Sequence, residues 1–247
     1  MKTSLYLYGI VTAAIIAILF LAANGASAER LPAVDNDFDG MDDNWEGSYG
    51  LDNSTNDAGE DLDEDGMSNI EEYRAFTDPT KDSDSLMVRT NRALIFVGVG
   101  LGTGGAFLSA SVGIGIAGCA AAGVLAERPD KFGKLLVYQA MPMTQGIYAL
   151  IVCILVLNFT GLVGGPNIAV LSSPYVGWGT IGIGITLALG MVSSVPQGMT
   201  SASSSAAFGR NHTIFGRGLI LIAMSETMAI FSFLMSIFLL VACGILG

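Results

Sequence analysis

Two groups of residues have the types and spacing to do chemistry. The first is "DNDFDGMDDNWE", followed by "DLDEDGMSNIEE" 26 residues later. Both put acids at positions 1, 3 and 5, glycine at 6 and glutamate at 12. These are Asp35, Asp37, Asp39, Gly40 and Glu46, then Asp61, Asp63, Asp65, Gly66 and Glu72. Hard oxygen donors on alternating residues, a glycine for the sharp turn and a bidentate carboxylate from a following helix are what calcium requires. The same template assigns position 7, a backbone carbonyl, to Met41 and Met67, and position 9 to Asp43 and Asn69. Asp82 and Asp84 begin a third, unfinished loop. The competing reading is an acidic linker kept extended by its own repulsion. So many carboxylates beside so few apolar residues predict a segment that needs metal to fold.

The second group is at the far end. Glu226 is the sole ionisable residue between Gly218 and Gly247, a stretch apolar enough for lipid. A carboxylate near a membrane midplane costs a few kcal/mol at least, so its presence calls for a function. Met141, Thr144, Gln145 and Tyr148 follow one another at helical spacing down one face of another apolar segment, and Gln197 lies in a third. Counted from the nearest basic residues (Lys134, Arg217 and Arg210), Gln145, Glu226 and Gln197 lie about 16, 14 and 20 Å deep. Interhelical hydrogen bonds alone account for a threonine or a glutamine. They account poorly for a glutamate, which when protonated contributes little that glutamine would not. A carboxylate that binds a cation, with neutral oxygens completing the shell, explains the whole set.

The elements that position these residues divide the chain sharply. Residues 29–85 hold 19 of the 22 acids against Arg30, Arg74 and Lys81, a net charge of −16, whereas residues 86–247 hold three acids and seven bases. Nothing is basic enough to suggest nucleic acid. Residues 1–28 read as a signal peptide, with Lys2, an apolar run and Ala26-Ser27-Ala28 as the cleavage site, or else as an uncleaved anchor. Either places residues 29–85 outside the cytoplasm. Residues 86–92 read as a linker. Residues 93–158 and 176–247 read as two transmembrane hairpins joined by an extracytoplasmic loop, 159–175. The fold class is thus an all-α membrane protein of four spans with a small calcium-loop domain in front. The positive-inside rule places the basic turns "ERPDKFGK" and "GRNHTIFGR" in the cytoplasm of a multi-pass cell-membrane protein. Cys119, Cys153 and Cys243 all lie in apolar runs and read as small buried thiols. The "GVGLGTG" run, inside a span, is no dinucleotide loop.

The first and third spans are crowded with Gly, Ala and Ser, which let backbones approach closely in lipid, while the second and fourth carry bulky residues. Alternation of this kind suits the inner and outer layers of a ring. The halves are copies: a shift of 83 residues lays "FGKLLVYQAMPMTQGI" on "FGRGLILIAMSETMAI" without a gap, and Met143 on Glu226. Pro142 should kink its helix, and Pro196 precedes Gln197.

With "ERPDKFGK", "PMTQGIY", "PQG" and "SETMAI" in view, residues 93–246 closely resemble the proteolipid (K or c) subunit of V-type and A-type rotary ATPases in its duplicated form. The front segment resembles EF-hand-like and thrombospondin type 3 repeats. The family resemblance implies a homo-oligomeric ring turning in the bilayer against a stator subunit with an essential arginine and joined to central-stalk subunits. It implies that Glu226 carries Na+ or H+, and that the other subunits handle ATP. In sodium-carrying members the matching ligands are the Met141 carbonyl, Thr144, Gln145 and Gln197, and Tyr148 matches the tyrosine that locks the glutamate. The proline before Gln197 and the exported front domain depart from the family pattern. Two rivals of other kinds are a calcium-dependent surface protein anchored by its helices, and a channel or carrier acting alone under calcium control.

Overall fold

The computed structural model describes Pro32 and residues 34–246, all helix, turn and loop with no strand among them. The expected export segment, 1–28, lies outside the described residues. The chain divides into two compact units at Ser85 and Leu86.

The front unit holds the two acidic loops and the helix that follows each, α1 (Asp43–Tyr49) and α2 (Asn69–Ala75). The loops share one backbone course. Gly40 and Gly66 take φ of 95° and 92°, and Phe38 and Glu64, each two residues earlier, both take 61°. Only a residue without Cβ enters the first pair without strain, which is why glycine stands there. Ser68 and Glu71 form a capping box at the start of α2. The unit closes over a small core of Met41, Trp45, Ala58 and Tyr73, with the Trp45 and Tyr73 rings edge-on at 5.1 Å.

The second unit has four spans. The first is one continuous helix, α3 (Leu86–Glu127). The second is α4 (Phe132–Ala140) and α5 (Thr144–Phe159), joined by a 3-10 turn at Met141–Met143. A short α6 (Ile168–Leu171) lies in the loop between the hairpins. The third span is α7 (Val176–Gly190) and α8 (Ser194–Arg210) around a 3-10 turn at Met191–Ser193. The fourth is α9 (Phe215–Met224) and α10 (Thr227–Ala242), broken at Ser225–Glu226. Three spans are each long and apolar enough to cross a membrane, and the fourth joins them when its two helices, bent by 40°, are taken together.

Residues 86–92, expected as a linker, form the first two turns of α3. "LMVRTNR" contains no glycine or proline to stop a helix, and its inner face has partners. Val88 is fully buried. The buried Asn91 amide donates to the carbonyls of Leu171 and Ser173 at 2.6 and 2.9 Å, and its oxygen accepts from Gly177 N–H at 3.1 Å. That one side chain ties the inter-hairpin loop to α3. At 42 residues α3 is about 63 Å long, twice a hydrocarbon core, so its ends extend past the lipid.

The small residues of the first and third spans meet where expected. A Cβ built on Gly98 would lie 2.4 Å from the Thr180 carbonyl oxygen, and one on Gly198 would lie 2.3 Å from that of Gly113. Backbone touches backbone along this seam, leaving no room for a methyl group. The bulky second and fourth spans flank it, with Ala149, Val152, Val156, Ala229 and Leu240 in the shared core.

Candidate functional site

The breaks in the second and fourth spans lie beside polar residues of the deep constellation, Thr144 and Glu226. Pro142 lacks the amide hydrogen that an unbroken helix would direct at Tyr138, and the backbone tightens into the Met141–Met143 turn. Thr144 Oγ1 then donates to the Met141 carbonyl at 2.9 Å. Eighty-three residues on, Thr227 Oγ1 donates to the Met224 carbonyl at the same 2.9 Å, although Ser225 stands where proline stood. The second copy therefore keeps the break without its proline, and back-bonding of this kind bends helices.

The break in the fourth span changes what its carbonyls do. Glu226 N–H bonds to Ala223 O at 3.0 Å, one residue short of the helical partner, Ile222. The Ile222 carbonyl is thereby left to accept from Ser225 N–H at 3.2 Å and from Gln197 Nε2 at 3.3 Å. Gln197 is fully buried despite the proline before it. Its Oε1 accepts from Gln145 Nε2 at 2.6 Å. Gln145, also fully buried, keeps its own Oε1 without a partner. Tyr148, one turn further along α5, donates its hydroxyl to Glu226 Oε1 at 2.8 Å. Glu226 itself is half-buried.

The structure links the predicted residues in three pairs: Thr144 to Met141 within its own span, Gln145 to Gln197, and Tyr148 to Glu226. Three spans meet, and each contributes oxygen: a hydroxyl and a backbone carbonyl from the second, amides from the second and third, a carboxylate from the fourth. The one feature without a sequence signal is the Ile222 carbonyl, because any residue supplies a carbonyl and only the break releases it.

The repeat explains why there is one such set and not two. Positions 83 residues away from Glu226, Tyr148, Gln145 and Gln197 hold Met143, Phe231, Met228 and Ile114. These four polar residues all have apolar counterparts, whereas the carbonyl and threonine pair is present in both copies. Met143, Met228 and Phe231 are exposed.

In the front unit, each loop turns its acids onto its own backbone. Gly40 N–H donates to Asp35 Oδ2 at 3.0 Å and Met41 N–H to Asp39 Oδ1 at 2.9 Å. Gly66 N–H donates to Asp61 Oδ2 and Met67 N–H to Asp65 Oδ1, both at 2.8 Å. Carboxylate oxygens of Asp35, Asp37 and Asp39 lie within 4.8 Å of one another, as do those of Asp61, Asp63 and Asp65. Glu46 and Glu72 arrive from α1 and α2 as expected. Glu46 is fully buried with neither carboxylate oxygen hydrogen-bonded, and Glu72 Oε1 is likewise unpartnered. Burial first, then the charges of Asp39 and Asp37, push Glu46 up to about 7. Burial and then Asp63 push Glu72 to about 7, and burial and then Asp65 push Asp63 to about 6. Buried, unpaired carboxylates crowded together are costly unless a cation joins them.

Position 9 differs from the template. Asp43 accepts from Asn36 N–H at 3.0 Å and from the Asn36 side-chain amide, so it braces the rim of its loop instead of joining the acids. As the first residue of α1 it lies beside the incoming chain. Asn69 is buried, with Oδ1 unpartnered and Nδ2 donating to the Asp57 carbonyl at 3.0 Å. The carboxylate that does approach the first loop is Asp57, within 4.8 Å of Asp39 and Glu46. It lies outside the twelve-residue pattern, so spacing could not find it.

Two copies of an apolar hairpin, the second with a carboxylate at its helix break, define a multi-pass helical membrane protein of the duplicated-hairpin kind. The chain belongs to the ATP synthase C-subunit family, whose model matches it twice, over residues 97–156 and 181–239. It is similar to the A-type ATP synthase subunit K of Methanocaldococcus jannaschii, 37% identical over 145 residues, which cover 59% of this chain and 60% of that protein. It is also similar to the V-type sodium ATPase subunit K of Enterococcus hirae, 30% identical over 158 residues, which cover 63% of this chain and 96% of that protein.

Proposed function

We propose that this chain is a rotor-ring subunit of a V/A-type rotary ATPase or synthase, carrying sodium across the membrane on Glu226. Membership of the ATP synthase C-subunit family supports the rotor role. The observation that carries the cation reading is Glu226 held by Tyr148, with a buried, unpartnered amide oxygen of Gln145 one turn away. An acceptor that lacks a donor in a dry interior is unfavourable by about 1–3 kcal/mol, and a cation among the oxygens removes that cost. Protonation needs the carboxylate alone and leaves Gln145 Oε1 as it is. A sodium ATPase subunit among the relatives is consistent with this choice.

The proposed cycle follows from charge. Facing lipid, Glu226 is neutralised by its cargo and the Tyr148 hydroxyl holds it in place, so it crosses hydrocarbon at little cost. Facing a cationic stator residue, the carboxylate exchanges its cargo for that charge and releases the ion into an aqueous path. Chemistry on ATP belongs to partner subunits, and identical copies of this chain complete the ring. The basic turns lie in the cytoplasm and the front unit on the opposite side.

In that front unit the loops hold calcium. Asp35, Asp37, Asp39, the Met41 carbonyl and Glu46 form one site. Asp61, Asp63, Asp65, the Met67 carbonyl and Glu72 form the other, joined by Asn69. The buried, unpartnered Glu46 and Glu72 oxygens support this reading.

Glu226→Gln tests the rotor. Reconstituted with its partner subunits, the variant should assemble normally and lose ATP-coupled ion transport. Coupled pumping that persists at wild-type rate overturns the proposal.

A further inference from the structure

Asp57 belongs to neither acidic loop. It falls in the turn after α1, 11 residues beyond Glu46, yet its carboxylate reaches the cluster that contains Asp39 and Glu46. Glu46 is fully buried there with both oxygens unpartnered, and that side chain marks the cluster as more than surface acidity. Asp57 Oδ2 accepts from Asp52 N–H at 3.2 Å, while its Oδ1 is buried and unpartnered. One oxygen fixes the carboxylate and the other is free to coordinate.

The backbone around Asp57 is strapped to the second loop. Its carbonyl accepts from Asn69 Nδ2 at 3.0 Å, the Ala58 carbonyl from Ile70 N–H at 3.1 Å, and the Glu60 carbonyl from Asn69 N–H at 2.7 Å. The second half of the unit therefore delivers a carboxylate to the first. Asp43, the template's candidate for position 9, is meanwhile turned onto Asn36. We infer that Asp57 is a calcium ligand of the first site, supplied from outside the loop motif in place of Asp43. The inference rests on the calcium reading above. In the second loop the charge of Asp82, outside the motif, bears on Asp63, though Asp82 does not join Asp61, Asp63 and Asp65 within 4.8 Å.

The test is a calcium titration of the full chain purified in detergent. Calorimetry gives the affinities, and terbium luminescence sensitised by Trp45 reports the first site, with Trp178→Phe removing the other tryptophan. Asp57→Asn keeps a side-chain acceptor for Asp52 N–H and leaves the carbonyl that Asn69 uses, so the fold is retained. An unchanged far-UV spectrum at saturating calcium checks that. Affinity in this family of loops follows the number of charged ligands, so Asp57→Asn should weaken the terbium-reporting site about tenfold or more. Asp43→Asn should leave that site within about twofold of wild type. Titrations unchanged by Asp57→Asn, or weakened equally by Asp43→Asn, overturn the inference and leave the calcium reading standing. A wild-type chain that binds no calcium at millimolar concentration overturns both.

Discussion

Replacing Gln145 by leucine separates an ion ligand from a structural hydrogen bond. The substitution removes two atoms with opposite effects on the ion-free bundle. Oε1 is buried and unpartnered, unfavourable by about 1–3 kcal/mol when no cation is present. Nε2 is the 2.6 Å donor to Gln197 Oε1, and its loss strands that acceptor at a similar cost. The two changes offset, so the ion-free bundle should keep its thermal stability to within about 1 kcal/mol. Sodium binding has no such compensation. A neutral oxygen facing a charge contributes about 1.5–3 kcal/mol, which corresponds to roughly 10- to 150-fold in affinity. The assay is the rate at which a hydrophobic carbodiimide modifies Glu226 at fixed pH as sodium is raised. Gln145→Leu should raise the half-protecting sodium concentration by that factor, while protection by hydroxide is unaltered. An unchanged half-protecting concentration, with a bundle destabilised by several kcal/mol, would show that Gln145 only holds helices together.

Two further predictions concern the carboxylates. Tyr148→Phe removes the 2.8 Å donor to Glu226, a charge-assisted bond worth about 1.5–3 kcal/mol. Carbodiimide labelling of Glu226 should accelerate about tenfold or more at a given sodium concentration, and an unchanged rate rules out the hydroxyl as a lock. In the front unit, Glu46 and Glu72 both stand near 7 against an ordinary 4.5, so protons favour the metal-free fold. Its stability should be fully present below about pH 4.5 and fall as pH rises through 7. Calcium must displace those protons, so its affinity runs the other way, falling about tenfold per pH unit well below 7 for each displaced proton. Circular dichroism of the melting transition and calorimetry across pH 5–8 check both signs. Metal-free stability that rises with pH refutes the picture of crowded, buried carboxylates.

The acidic loops were legible because their chemistry is local. Alternating acids, a glycine at the sharp turn and a closing glutamate lie within twelve residues, and the structure repeats the same backbone course in both copies. Glu226 was legible for the opposite reason: a lone acid in a long apolar run stands out wherever it ends up. The 83-residue repeat, four apolar spans and the glycine-rich first and third of them were also readable from residue order and hydropathy. Helix formation and lipid burial respond to short-range pattern, so these features do not depend on a partner elsewhere in the chain.

Tertiary structure alone decided who faces whom. That Gln145 meets Gln197 and that Gln197 takes the Ile222 carbonyl depend on how spans rotate against one another. Rotation is set by the close seam at Gly98 and Gly198, where no side chain intervenes. Asn91, inside an expected linker, became a tie because α3 starts early and meets the inter-hairpin loop. Asp57 lies against Asp39 and Glu46, while Asp43 bonds to Asn36, because a turn folds back onto the first loop and brings together residues beyond the reach of any motif. Spacing along a helix or loop is a property of the chain, but coordination is a property of converging elements, and convergence is fixed only when the packed backbone leaves a single arrangement.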